Sequence, residues 1–61
     1  MSADPVESAP FLAGQRVLLW GKPGVVETVS LSLATGRWII AVMLDAGLRM
    51  RTEAKNVEPA P

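Results

Sequence analysis

Apolar residues in this chain fall into short runs interrupted by glycine, and no run keeps the period of an amphipathic helix over several turns. β-Branched and aromatic residues concentrate in segments that we predict as strands: 15–20, 25–31, 38–44, 48–52 and a last short piece around Val57. Helix is limited to single turns, at 31–34 and at 52–56. The pattern therefore predicts an all-β chain of about five short strands.

Period-two alternation assigns the residues of the predicted strands to two faces. Val17 and Leu19 share one face of the first strand, and Ile40 and Val42 share one face of the third. The opposite sides of these strands are apolar as well and give a second apolar face, made of Leu18, Trp20, Ile39 and Met43. A patch of this kind on a small domain indicates a protein interface. The alternative is that strand coiling folds both faces inward, with Phe11 and Leu12 covering one side.

Glycine and proline divide the chain into a folded part and two tails. We predict turns at Lys22-Pro23-Gly24 and at Asp45-Ala46-Gly47, where glycine can take a positive φ and Asp45 can hydrogen-bond within its own turn. Residues 1–11 are predicted as a disordered N-terminal tail, residues 12–58 as the domain and residues 59–61 as a frayed end.

Four short motifs carry a resemblance to a known fold: Gly14-x-Arg16-Val17-x-Leu19, Pro23-Gly24-Val25-Val26-x-x-Val29, the apolar run 38–44 followed by Asp45-x-Gly47, and Asn56-Val57-Glu58. Over residues 12–58 they resemble the SH3-like small barrels of the KOW and Tudor-like group. The resemblance implies an all-β SH3-like small barrel of about five short antiparallel strands. Members of that group bind RNA, ribosomes, DNA, peptides or other subunits, so the resemblance does not specify a ligand.

The chain also resembles the plasmid-borne type II dihydrofolate reductases, which are short SH3-like chains with an N-terminal tail and are active as tetramers. That family carries a Val-Gln-Ile-Tyr segment lining its pore. The corresponding segment here, Leu48-Arg49-Met50-Arg51-Thr52, has neither the glutamine nor the tyrosine. No catalytic role is carried over. The resemblance leaves one hypothesis open, an oligomeric enzyme whose site forms at a symmetry axis.

Composition leaves little room for catalysis. The 61 residues include no histidine and no cysteine, so a general base would have to be Glu27, Asp45, Glu53 or Glu58. None of these lies in a motif that pairs it with a nucleophile. Zinc ligands and calcium-loop spacing are absent from the sequence. We therefore predict a protein that is not an enzyme and that uses no cofactor or metal.

Charge gives weak support for nucleic-acid binding. From Gly14 to Glu58 there are six basic and four acidic side chains, a net charge of +2, and the sequence pI is about 6.1. Dedicated nucleic-acid binders of this size are usually strongly basic. A local patch could still hold a single strand by charge and stacking. Its predicted residues are Arg37, Trp38, Arg49, Arg51 and Lys55.

The preferred hypothesis is a small protein-interaction or assembly module that self-associates or docks on a larger partner through the second apolar face. The nucleic-acid-binding barrel is its alternative. The longest apolar run, 38–44, is far shorter than a membrane span, so no membrane association is predicted. The acidic start without a leader pattern and the lack of cysteine favour a cytoplasmic location.

Overall fold

The computed structural model describes residues 9–61, whose regular structure is made of strands and one short helical turn. The strands are β1 (Arg16–Leu19), β2 (Lys22–Ser32), β3 (Arg37–Leu44), β4 (Arg49–Glu53) and β5 (Val57–Pro59). A turn of 3-10 helix, Ala54–Asn56, joins β4 to β5. The predicted all-β architecture with five antiparallel strands is confirmed. Within the described residues no helix is long and apolar enough to cross a membrane.

The strands form one antiparallel sheet in the order β4-β3-β2-β1-β5. Strands β1 to β4 lie beside their neighbours in sequence because short turns connect them, and β5 returns to pair with β1. β4 and β5 are the two edges, and no strand pairing among residues 9–61 joins them. The sheet is therefore open, and its strand pairing does not close it into a barrel.

The core lies on one side of this sheet, here called the inner face. Its fully buried side chains are Val17, Leu19, Val26, Ile40 and Val42, each at most 1% exposed. The buried rim of the core consists of Phe11, Leu44 and Val57. Burial of one aliphatic side chain of this size stabilises the fold by about 1.5–3 kcal/mol. The period-two assignment of β1 and β3 is confirmed, because the predicted inward residues are those that are buried.

Gly24 sets the closest approach between β2 and β3. A Cβ atom at this position would lie 2.8 Å from the carbonyl oxygen of Met43 and 2.8 Å from Cγ1 of Val42. Both distances are shorter than any ordinary contact, so a larger residue would push the two strands apart. Glycine is needed here for strand packing rather than for a turn.

A β-bulge interrupts β2 two residues further on. Val26 pairs with Val42, whereas Thr28 pairs with Ala41, so Glu27 is the extra residue on β2. A bulge bends its strand and re-aims the side chain at the extra position. The irregularity therefore gives Glu27 a different environment from that of its neighbours in the ladder.

The turn between β1 and β2 consists of Trp20 and Gly21, because Leu19 pairs directly with Lys22. Trp20 has φ 52° and Gly21 has φ 83°, the two positive values that define a type I′ hairpin turn. The prediction of a turn at residues 22–24 was wrong, since these residues belong to β2. Pro-Gly suggested a turn, but the tryptophan adopts the left-handed conformation that residue preferences assign to Asn or Gly.

Both ends of the described chain are held more firmly than the sequence suggested. Phe11, predicted as the last residue of the tail, is 7% exposed and belongs to the core. Pro59 is the last residue of β5, and the amide of Ala60 donates a hydrogen bond of 3.1 Å to the carbonyl of Arg16. Of the predicted disordered tail, residues 1–8 lie outside the described residues.

The left-handed conformation of Trp20 can be tested by comparing Trp20→Asn with Trp20→Ala. Both variants lose the indole, but asparagine tolerates positive φ and alanine does not. We expect the asparagine variant to have the larger free energy of unfolding, by about 1 kcal/mol, in urea titrations followed by circular dichroism. Equal stability of the two variants, or a more stable alanine variant, would contradict the turn described here.

Candidate functional site

The side of the sheet opposite the core, here called the outer face, carries most of the predicted second apolar face. Leu18 lies between the buried residues of β1, and Ile39 and Met43 alternate with the buried residues of β3, so all three point away from the core. Each is half-buried. Trp20 lies in the turn after β1 and is 61% exposed. The structure thus brings three of the four residues to one face and places the fourth at the end of β1.

Two further residues make this apolar surface continuous. Val25 pairs with Met43 and therefore lies on the same face, on the strand between Leu18 and Met43. Ala41 lies between Ile39 and Met43 on β3 and is 7% exposed, although it does not belong to the core cluster. Sequence reasoning missed Val25, because the face of a β2 residue depends on register. Period-two alternation does place Ala41 on the side of Ile39 and Met43, but the predicted surface did not include it.

Arginine side chains cross the outer face. Arg49 on β4 binds Glu27 on β2, with Nε 2.7 Å from Oε1 and Nη2 3.4 Å from Oε2. Since β3 lies between β4 and β2, this ion pair must pass over β3. The aliphatic stem of an arginine covers apolar surface while its guanidinium stays in water. The ion pair thus spans the outer side of β3, the strand on which Ala41 is buried although no second layer of structure among residues 9–61 covers this face.

A second arginine crosses β2 in the same way. Arg16 on β1 binds Asp45, just after β3, through two hydrogen bonds of 3.1 and 2.8 Å. The predicted turn at residues 45–47 is confirmed by Gly47, which has φ 95°. The carboxylate of Asp45, however, reaches across the sheet to Arg16 instead of capping its own turn. Arg16 donates hydrogen bonds to this carboxylate and thereby lowers the pKa of Asp45 below its ordinary value.

The predicted nucleic-acid-binding residues are largely paired with carboxylates. Arg37 donates to both carboxylate oxygens of Glu53 at 3.2 Å, and Lys55 lies 3.6 Å from the same group. Arg49 is engaged by Glu27. Within residues 9–61, Arg51 has no carboxylate partner. The basic patch therefore presents much less free positive charge than the sequence suggested.

Trp38 differs from the other predicted nucleic-acid-binding residues because it belongs to the inner face. It is half-buried and packs against the core, and a cleft opens on either side of it. An apolar cleft of about 200 Å³ is lined by Ala9, Phe11, Leu12, Ala13, Val29 and Trp38. A charged notch of about 290 Å³ is lined by Arg37, Trp38, Glu53, Ala54 and Lys55. The structure thus collects Arg37, Trp38 and Lys55 at one place, away from Arg49.

Comparison of the chain with protein-family models, with curated proteins and with solved structures gave no match. Within the described residues, no group of three acidic side chains could hold a metal ion. Three of the carboxylates considered as bases, Glu27, Asp45 and Glu53, are engaged by arginines. The features that distinguish this molecule are the outer face, the exposed Trp20 and the clefts beside Trp38.

The Arg16–Asp45 pair makes stability depend on pH in the acid range. Because the pKa of Asp45 is lowered in the folded state, its contribution is fully present above the ordinary value of 3.8 and is lost as pH falls through the lower folded value. We expect carboxyl NMR titration to place the pKa of Asp45 below 3.8 and Arg16→Gln to return it toward that value. Identical titration curves for the two proteins would contradict this ion pair.

Proposed function

We propose that this protein is a small protein-interaction or assembly module, which self-associates or docks on a larger protein through its outer face. The apolar centre of that face, formed by Leu18, Val25, Ile39 and Met43, is bordered by charged pairs. An apolar centre with a polar rim is the usual composition of a protein interface. These residues are half-buried beside the arginine stems. A partner that docked here would cover the apolar surface that they still expose.

The observation that carries the proposal is Trp20. Its backbone is in the left-handed region, which costs a residue with a side chain about 1–2 kcal/mol. Its indole is 61% exposed, so burial within the chain offsets little of that cost. Tryptophan is the residue most typical of interface hot spots, where it fills a pocket of the partner. A partner that covers Trp20 would explain why tryptophan occupies this exposed position with its left-handed backbone.

The proposal also covers the fold group to which the protein belongs and its location in the cell. The order β4-β3-β2-β1-β5, with successive strands joined by short turns, is compatible with an SH3-like small barrel of the KOW and Tudor-like group. We place the protein in the cytoplasm and assign it no cofactor and no reaction. Its partner is a second copy or a larger protein.

Met43→Glu tests the outer face, since it places a charge at the apolar centre. We expect it to weaken self-association, or binding to an identified partner, at least about tenfold, because several kcal/mol of apolar burial would be lost. Leu33→Glu is the matched control, because Leu33 is 90% exposed in the turn between β2 and β3. The measurements are solution mass by light scattering across a hundredfold range of concentration and titration with the partner.

Trp20→Asn provides a second test that keeps the turn geometry. It should weaken the same association while the circular dichroism spectrum and cooperative unfolding stay unchanged. Unchanged mass and unchanged partner binding in both Met43→Glu and Trp20→Asn, with the fold intact, would refute the proposed interface.

Nucleic-acid binding is the second candidate function, favoured by the charged notch where Arg37 and Lys55 meet the edge of Trp38. Single-stranded nucleic acid binds such sites by charge and base stacking, with strong salt dependence. This candidate predicts that Lys55→Glu reduces the affinity for a fluorescent oligothymidine at low salt at least about tenfold. Lys22→Glu, with the same change of charge at the start of β2, should matter less. Failure of the unmodified protein to bind the oligonucleotide would exclude it.

A further inference from the structure

β4 presents an unpaired strand edge whose hydrogen-bonding groups can be assigned from the register. The amide of Leu44 donates to the carbonyl of Leu48 at 2.7 Å, so this pair is a hydrogen-bonded position of the β3–β4 hairpin. Hydrogen-bonded and non-hydrogen-bonded pairs alternate along an antiparallel ladder. With Ala41 opposite Arg51 and Ile39 opposite Glu53, the backbone groups of Arg51 and Glu53 point away from β3.

No described segment covers this edge. β5 pairs with β1 at the far side of the sheet, and the chain continues from Glu53 into the 3-10 turn. The carbonyl of Glu53 accepts the first hydrogen bond of that turn, because Glu53 is its N-cap residue. No turn or loop hydrogen bond among residues 9–61 uses the backbone of Arg51 or the amide of Glu53. An open edge is a template for a further strand, and the side chains along it decide which strand is accepted.

We propose that the β4 edge pairs with β4 of a second copy of this chain, in antiparallel orientation, with Thr52 at the two-fold axis. Arg51 then lies opposite Glu53 of the partner subunit, and Glu53 lies opposite Arg51 of the partner subunit. These pairs fall at hydrogen-bonding positions of both strands, so the amide of each Glu53 donates to the carbonyl of Arg51 of the partner subunit. The amide of each Arg51 faces the carbonyl of Glu53 of the partner subunit, which also accepts a hydrogen bond within its own 3-10 turn. The strand that pairs with this edge is β4 of a second copy, because Arg51 and Glu53 carry opposite charges and face each other when two copies pair in antiparallel orientation.

Charge selects this register over its neighbour. A two-fold axis perpendicular to the sheet must pass midway between two copies of the same residue. An axis between neighbouring residue positions would set outer-face side chains opposite inner-face ones. An axis at Arg51 would also form two Arg–Glu pairs, between Arg49 and Glu53 of the partner subunit, but it would oppose the two Arg51 guanidinium groups, which is destabilising. An axis at Thr52 forms two Arg–Glu pairs and one Thr–Thr pair, both favourable across strands. It also brings a carboxylate to Arg51, which has none among residues 9–61, although that carboxylate is shared with Arg37 and Lys55 of its own chain.

The pairing would join two five-stranded sheets into one sheet of ten strands and make their outer faces continuous. It uses the edge of β4 and not the apolar centre of the outer face, so it does not depend on the interface proposed above. Variants at Met43 or Trp20 and variants at Arg51 or Glu53 therefore report on separate contacts.

Charge complementation tests the register. Arg51→Glu would oppose two like-charged carboxylate pairs in its own dimer, and Glu53→Arg would oppose two guanidinium pairs. An equimolar mixture of the two variants restores both Arg–Glu pairs in a mixed dimer. We expect each variant alone to dimerise at least about tenfold more weakly than the unmodified protein, and the mixture to recover dimerisation. Sedimentation velocity across a hundredfold range of concentration gives the masses, and Lys22→Glu is the charge control.

Cysteine cross-linking gives an independent measurement, because the chain contains no cysteine. Thr52→Cys would place two thiols at a non-hydrogen-bonded pair across the axis, where Cα atoms lie about 4.5 Å apart, close enough for a disulfide. We expect mild oxidation to give a covalent dimer of Thr52→Cys and little of Leu33→Cys, an exposed control in the turn between β2 and β3.

Several results would overturn the pairing. A monomer at all concentrations for the unmodified protein, or full dimerisation of folded Arg51→Glu, removes the β4 edge as the contact. If the mixture does not recover dimerisation, and Thr52→Cys cross-links no faster than Leu33→Cys, the proposed register with Thr52 at the axis is wrong. Should Glu53→Arg fail to fold, Glu53→Lys and the cross-linking rates decide the same question.

Discussion

The tight packing of aliphatic side chains between the central strands is the constraint around which this molecule is built. Val17, Leu19, Val26, Ile40 and Val42 fill the inner face, and among residues 9–61 no second layer of structure covers the other side. The close approach of β2 and β3 at Gly24 belongs to the same packing. Within the described part of the chain, the outer face is covered only by side chains of the sheet itself.

The outer face shows how long polar side chains can serve as a partial covering layer. Arg49 reaches over β3 to the bulged Glu27, and Arg16 reaches over β2 to Asp45. These pairs are exposed, and exposed pairs contribute little to stability through their charges alone. Arginine stems can cover apolar surface while their guanidinium groups stay in water, and these pairs place charges around the apolar residues of the outer face.

The features outside the core form three sets, two of which share a residue. The outer face has an apolar centre, two clefts adjoin Trp38, and the β4 edge has open backbone groups with charges of both signs. Glu53 lines the charged notch and also lies on the β4 edge. Charge pairing leaves less free positive charge for nucleic acid at Arg37 and Arg49. Interaction through a sheet face and interaction through a sheet edge are compatible, because they use different atoms of the same strands.

The sequence by itself determined the five strands, the inward faces of β1 and β3 and the turn at Gly47, because period-two alternation and glycine placement act over a few neighbouring residues. It pointed to Leu18, Ile39 and Met43 as one surface for the same reason. Only the tertiary structure decided that Trp20 forms the hairpin turn, that Phe11 enters the core and that Glu27 occupies a bulge. It also decided the ion pairs, since Arg16 and Asp45, or Arg49 and Glu27, meet only after strands distant in sequence have paired. Contacts of that kind depend on strand order and register, which no local pattern encodes.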